Sequence, residues 1–169
     1  MAASPVLVVL GGLPGSGKTT LARLLAVELR AAHLRIDTIE QAIARSSLPV
    51  GESGYVAAAG VARDNLRLGL SVVADCVNPV RESQEGWRSV AADAGAQVVE
   101  ILIVCSDPDE HRRRVEGRVA DIPGMVQPTW ADVATSVLDP WPEAVVLDSA
   151  GRTPDAVARD ALGVVRDRA

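Results

Sequence analysis

Phenylalanine is absent from the 169 residues, and the aromatic side chains amount to three tryptophans and one tyrosine. Lysine occurs once, as Lys18; the other sixteen basic residues are arginine. Together with the abundance of alanine and valine, this bias fits a GC-rich genome. A position kept as lysine against it is one that needs an ammonium on a flexible stem, not a planar guanidinium. Cysteine and histidine are scarce: Cys76, Cys105, His33 and His111. That is too few, and too dispersed, for a Cys/His metal site or a catalytic triad. The cysteines sit in or beside apolar runs and are expected to be buried free thiols. No run approaches the roughly 18 apolar residues of a membrane span. Met1–Leu10 lacks the basic start and cleavage site of a signal peptide, so a cytoplasmic protein without membrane contact is expected. The net charge of −5 argues against a broad nucleic-acid surface and leaves room only for a local basic site. With 48% apolar and 23% charged residues, the chain is too apolar to be disordered. Its length suits one domain with a sizeable core.

What is present alternates between strand and helix. Val6–Leu10 is a short continuous apolar run, as in a strand buried on both faces. From Lys18 to Ala32, Leu21, Leu24, Leu25 and Leu29 share one helical face. Leu34–Ile36, Ser71–Ala74, Val98–Val104 and Ala144–Leu147 are further predicted strands. Thr38–Arg45 and Tyr55–Leu68 are predicted helices. Asn78-Pro79, Asp107-Pro108 and Thr153-Pro154 each follow a strand with a capping residue and a proline, which predicts a helix start. Repeated strand–cap–helix units imply a parallel sheet covered by helices, with ligands bound beyond the carboxyl ends of the strands. Val119–Pro128 lacks periodicity and holds two prolines and a glycine; a mobile loop is expected there.

The strongest signal is Gly12-Leu13-Pro14-Gly15-Ser16-Gly17-Lys18-Thr19, which fits G-x-x-x-x-G-K-[ST] at every fixed position. It lies between a predicted strand and a predicted helix, the context the motif requires. The glycines let backbone N–H groups wrap a phosphate, and the helix N-terminus adds partial positive charge. Lys18 can reach the β- and γ-phosphates and the Thr19 hydroxyl can ligate Mg²⁺. The expected cofactors are therefore ATP and Mg²⁺. A guanine reader's N-K-x-D element is impossible, because the one lysine is already in the motif.

The chain resembles the small P-loop kinases of the nucleoside-kinase-like group: gluconate kinases, adenylylsulfate kinases, chloramphenicol phosphotransferases and zeta-toxin-type kinases. The resemblance rests on Gly12–Thr20, Arg35-Ile36-Asp37, Val73-Ala74-Asp75 and Arg112–Arg118, in that order and spacing. It implies one P-loop kinase domain over residues 1–169, a five-stranded parallel sheet ordered 2-3-1-4-5 with helices on both faces, and a lid at about 119–128. The implied activity is ATP- and Mg²⁺-dependent phosphorylation of a hydroxyl on a small molecule: a sugar acid, nucleoside or antibiotic. A nucleic-acid 5′-hydroxyl kinase and a nucleotide-binding regulatory module with little turnover are the alternatives.

Site residues follow from the resemblance. Gly12 to Thr20 would bind the nucleotide. Asp37 would contact the acceptor hydroxyl and act as base; its alternative is a helix N-cap. Asp75 would hold a water of the Mg²⁺ shell or bind the acceptor, and is otherwise a turn residue. Arg81 would meet substrate or phosphate, or lie on a solvated helix face. Arg114 and Arg118, four apart on one helical face, would close over the phosphates with the lid. Surface pairs Arg112–Glu116 and Arg114–Glu110 are the alternative. Trp87, Trp130 and Trp141 are expected in the core or as lid anchors.

Overall fold

The computed structural model describes residues 4–168. In chain order its elements are β1 (Val6–Gly11), α1 (Lys18–Leu29), β2 (Ala32–Arg35), α2 (Ile36–Arg45), α3 (Ser53–Arg67), β3 (Val72–Asp75), α4 (Arg81–Ala94), β4 (Gln97–Val104), α5 (Pro108–Glu116), α6 (Trp130–Thr135), β5 (Val145–Asp148) and α7 (Pro154–Arg168). The five strands form one sheet ordered β2-β3-β1-β4-β5, parallel at every pairing. This is the expected order.

β1 is central and buried along its whole length. Its side chains alternate between two cores, as strand geometry demands. Val6, Val8 and Leu10 pack with Leu21, Leu25 and Val157 under α1 and α7. Leu7 and Val9 pack with Ala58, Leu66 and Trp87 under α3 and α4. Trp141 closes the second core against Gly11, where any Cβ would run into its ring. Because all strands run the same way, Gly11, Arg35, Asp75 and Asp148 end at one edge of the sheet. Register sets Arg35 beside Asp75, and Asp75 beside Leu10.

Two local expectations shift. Ile36, read as strand, opens α2 and is buried at its first position. Asn78-Pro79 does not cap α4, which begins two residues later at Arg81. Instead Asn78 is buried with a left-handed φ of 55°, and its N–H donates to the Tyr55 hydroxyl. The other two caps form as expected. The Asp107 carboxylate accepts from the N–H groups of Asp109 and Glu110 at 2.9 and 3.0 Å, and Thr153 Oγ1 accepts from Ala156 N–H. Both cysteines are free thiols, Cys76 buried but Cys105 partly exposed. Among the described residues no helix is long and apolar enough to cross a membrane.

Candidate active site

The turn from β1 into α1 needs its glycines. Gly12, Gly15 and Gly17 have φ of 137°, 82° and 103°, a region L side chains rarely adopt. A Cβ at Gly12 would meet the Ile103 carbonyl oxygen. α1 then starts at Lys18 with no side-chain cap and no acidic residue in its first turn. Its leading N–H groups are left without an internal acceptor at the positive end of the helix dipole, which fits an anion. The turn is braced from outside. His111 Nε2 donates to the Pro14 carbonyl at 2.8 Å, and Ser149 Oγ donates to the Ser16 carbonyl at 2.8 Å.

A cleft of about 550 Å³ opens beside this turn, and Lys18, Thr19, Asp37, Arg114, Arg118 and Arg152 line it. Lys18 is buried, with Nζ donating to the Leu13 carbonyl at 3.0 Å. Burial pulls its ammonium below the ordinary lysine range, and the Asp75 and Asp37 carboxylates offset part of that. Asp75 is also buried. Burial alone would raise its carboxyl, but the His33 ring at 3.4 Å, the Lys18 ammonium and the Thr19 hydroxyl together hold it below its ordinary value. An ionised Asp75 only accepts, so His33 Nε2 carries the proton of that contact. Asp37 stands in the first turn of α2, past the N-cap position that Arg35 occupies. It is therefore not the helix cap, and its carboxylate faces the cleft.

Arg35, which the sequence offers only as part of the Arg35-Ile36-Asp37 motif and with no role of its own, is also a site residue. It is 8% exposed and lies 4.0 Å from a carboxylate oxygen of both Asp37 and Asp75. It also grips Asp121 with two hydrogen bonds, at 2.8 and 3.1 Å. Arg23 adds a third at 2.7 Å. These two guanidiniums hold the Asp121 carboxyl far below the usual range. Segment 119–128 is thus not the weakly anchored loop expected from its composition. Asp121 ties it to α1 and β2, Ile122 is buried, and Met125 and Pro128 reach the cleft.

The arginines sort differently. Arg112 pairs with Glu116 at 2.8 Å on the exposed face of α5. Arg114 pairs with Glu110 at 2.5 Å and donates to the Ser149 hydroxyl and carbonyl, yet it also lines the cleft. Arg118 makes no ion pair among the described residues, and its charge acts on Lys18. Arg81 is not brought to the cleft. It is exposed at the start of α4, paired with Glu85 at 2.8 Å and Glu143 at 3.9 Å. Ser149 and Arg152 were passed over; their one signal is that they follow a strand's carboxyl end. Trp87 and Trp141 are core residues, and Trp130 packs edge-on against His111 with centroids 5.3 Å apart.

Among the described residues no group of three or more His, Cys, Asp or Glu is placed to hold a metal. A Mg²⁺ that keeps waters and phosphate oxygens needs only one or two protein groups. The Thr19 hydroxyl beside Asp75 fits that demand.

Residues 7–137 match the family described as AAA domain. The chain belongs to that family. Among curated relatives, an Aeropyrum pernix protein named "Probable adenylyl-sulfate kinase" is 27% identical over 140 residues, 73% of this chain and 76% of that one. Two solved structures share the fold. The Mycobacterium tuberculosis APS kinase CysC, in complex with AMPPNP and APS, has a TM-score of 0.72 at 20% identity, over 96% of this chain and 98% of that one. A gluconokinase from Sinorhizobium meliloti 1021 has a TM-score of 0.68 at 17% identity, over 98% and 94%. The resemblance to the small P-loop kinases thus holds for family and fold, and these three relatives carry kinase names.

Proposed function

We propose that the chain is a single-domain kinase that uses ATP and Mg²⁺ to phosphorylate a hydroxyl of a small molecule. The observation that carries this is Asp37, a carboxylate free of any capping role, facing the same cleft as Lys18 and the uncapped start of α1.

On this reading the backbone N–H groups from Gly12 to Thr20 and the Lys18 ammonium hold the phosphates. Arg152, Pro154 and Val157 also line the cleft and would border the nucleotide. The Thr19 hydroxyl and Asp75 would hold Mg²⁺, which when bound neutralises charge on the phosphates. Asp37 accepts the proton of the acceptor hydroxyl as that oxygen bonds to the γ-phosphorus and the bond to the ADP oxygen breaks. Arg114 and Arg118 meet the charge spread over the phosphoryl group in flight. Segment 119–128 serves as the lid that keeps water, a competing nucleophile, from the phosphoryl group.

A screen of hydroxylated metabolites and antibiotics with Mg·ATP, read as ADP release, tests the proposal. ADP formation that depends on a particular alcohol is expected. ADP formation at one rate whatever is added, or none with any alcohol, would overturn it.

A further inference from the structure

A second cavity, about 380 Å³, lies between α2, α3 and α4 beyond the carboxyl end of β3. Its walls are largely apolar: Tyr55, Val56, Ala59, Pro79, Val80 and Trp87. Val56 and Val80 are 68% and 43% exposed, so this apolar surface is uncovered. Three carboxylates, Glu40, Glu52 and Glu82, also line it, and no lysine or arginine does. The nearby arginines are engaged elsewhere: Arg63 with Asp93 at 3.4 Å, Arg81 with Glu85 at 2.8 Å, Arg88 with Glu100 at 2.9 Å. None of the three glutamates makes an ion pair among the described residues. Glu40 is seated deliberately. It lies over Gly54 of α3, where any Cβ would strike its side chain.

The cavity adjoins the active-site cleft. Asp37 and Glu40 are three apart on α2, which puts their Cβ atoms about 5–6 Å apart on neighbouring faces. Asp37 and Val77 line the first space; Glu40, Pro79 and Val80 line the second. On this placement a molecule in the second cavity would extend toward Asp37. Burial, and then repulsion from Asp37, raise the Glu40 carboxyl. A cation placed between these acids relieves that repulsion, whereas an anion adds to it. The Tyr55 ring can attract a cation through its face and pack an apolar body, and buried Trp87, with its ring centroid 6.4 Å away, backs it.

Resting on the kinase reading, we infer that the hydroxyl acceptor is a cation: an amine-bearing alcohol with an apolar body, held in this second cavity by Glu40, Glu52 and Glu82. The amine sits among the three carboxylates and the hydroxyl turns toward Asp37. Acceptors carrying a carboxylate, sulfate or phosphate at that end are disfavoured.

Calorimetric titration of the full chain with three matched probes tests this. Phenylalaninol carries an amine, N-acetylphenylalaninol is neutral, and 3-phenyllactate is an anion; all share the phenyl body and a hydroxyl. Phenylalaninol is expected to bind at least tenfold more tightly than its N-acetyl form, with phenyllactate weakest. Glu82→Gln, at an exposed position, should weaken phenylalaninol at least threefold and leave the N-acetyl form unchanged. Glu40→Gln should weaken it further. Melting temperatures without probe show that both variants fold. Equal binding of the three probes, a preference for phenyllactate, or no binding of phenylalaninol would overturn the inference. Phosphoryl transfer is followed separately in the same samples and across the acceptor screen. Amine-selective binding with no transfer to any alcohol removes the kinase reading and leaves the cation site standing. Transfer to an anionic acceptor does the reverse.

Discussion

Lys18 shows how one residue carries opposed demands. Its ammonium is buried and held below its ordinary range, so the charge that would bind phosphate is a cost to the empty fold. Lys18→Ala should cut turnover at least about a hundredfold, roughly 2.7 kcal/mol of transition-state stabilisation. Lys18→Met, which keeps the stem, should lose turnover similarly yet melt no lower than the native protein. A clearly lower melting temperature would mean that the ammonium stabilises the empty site. Asp37 makes the complementary case. On the proposed reading it serves the acceptor hydroxyl and not the nucleotide, so Asp37→Asn should abolish phosphoryl transfer while ATP affinity, measured by calorimetry, stays within a few-fold. Loss of ATP binding with transfer retained at saturating ATP would exchange the roles of Asp37 and Asp75. Lys18 was legible in the sequence because a fixed motif and a solitary lysine coincide. Arg35 was not. Its partners are Asp37, Asp75 and Asp121, and the last is 86 residues away; only the fold brings them together.

At the scale of elements, segment 119–128 is the part on which the sequence and the structure disagree most. Its composition argues for low-cost opening, but Asp121 clasps it to Arg23 and Arg35 and Ile122 buries beneath it. Hydrogen exchange across 119–128 should therefore be slow in the free protein and accelerate in Asp121→Asn. A non-hydrolysable ATP analogue should slow it again in the variant, since closure then rests on contacts to the nucleotide. Unchanged exchange in the variant would show that Ile122 alone holds the segment. The clasp also has a pH signature. The folded Asp121 carboxyl lies far below its unfolded value, so its stabilisation is complete above the ordinary range near pH 4 and is lost as pH falls through and below that range. The pair is partly exposed, so this is worth at most about 1 kcal/mol. Acid titration of melting temperature should show a shallower fall in Asp121→Asn than in the native chain. Arg118→Ala should lower kcat more than it raises KM for ATP, if its contact forms mainly with the phosphoryl group in flight. Equal effects on both would make Arg118 an ordinary nucleotide contact. The strand ends explain the errors of element placement. Ile36 is apolar and adjoins a strand, so pattern alone extends the strand through it. Asn78-Pro79 carries the same cap signature as Asp107-Pro108, but the Tyr55 hydroxyl takes the Asn78 N–H and holds that turn left-handed.

For the whole molecule, the parallel direction of the sheet was readable because apolar runs and cap-and-proline turns recur at α/β spacing, whereas its strand order came from the resemblance to the small P-loop kinases. The first cleft was readable because a parallel sheet gathers its strand ends at one edge. The second cavity was not. Its lining comes from three helices and from residue types that are unremarkable singly; only their convergence gives a space with carboxylates and no base. The measurement that bears most directly on the function is a label experiment with Mg·ATP carrying radiolabelled phosphorus at the γ position. With an alcohol that drives ADP release, the label should appear on that alcohol, one for each ADP formed, and in neither place with Lys18→Ala. Label recovered only as inorganic phosphate, at a rate no alcohol changes, would contradict a kinase and leave a nucleotide-hydrolysing module instead.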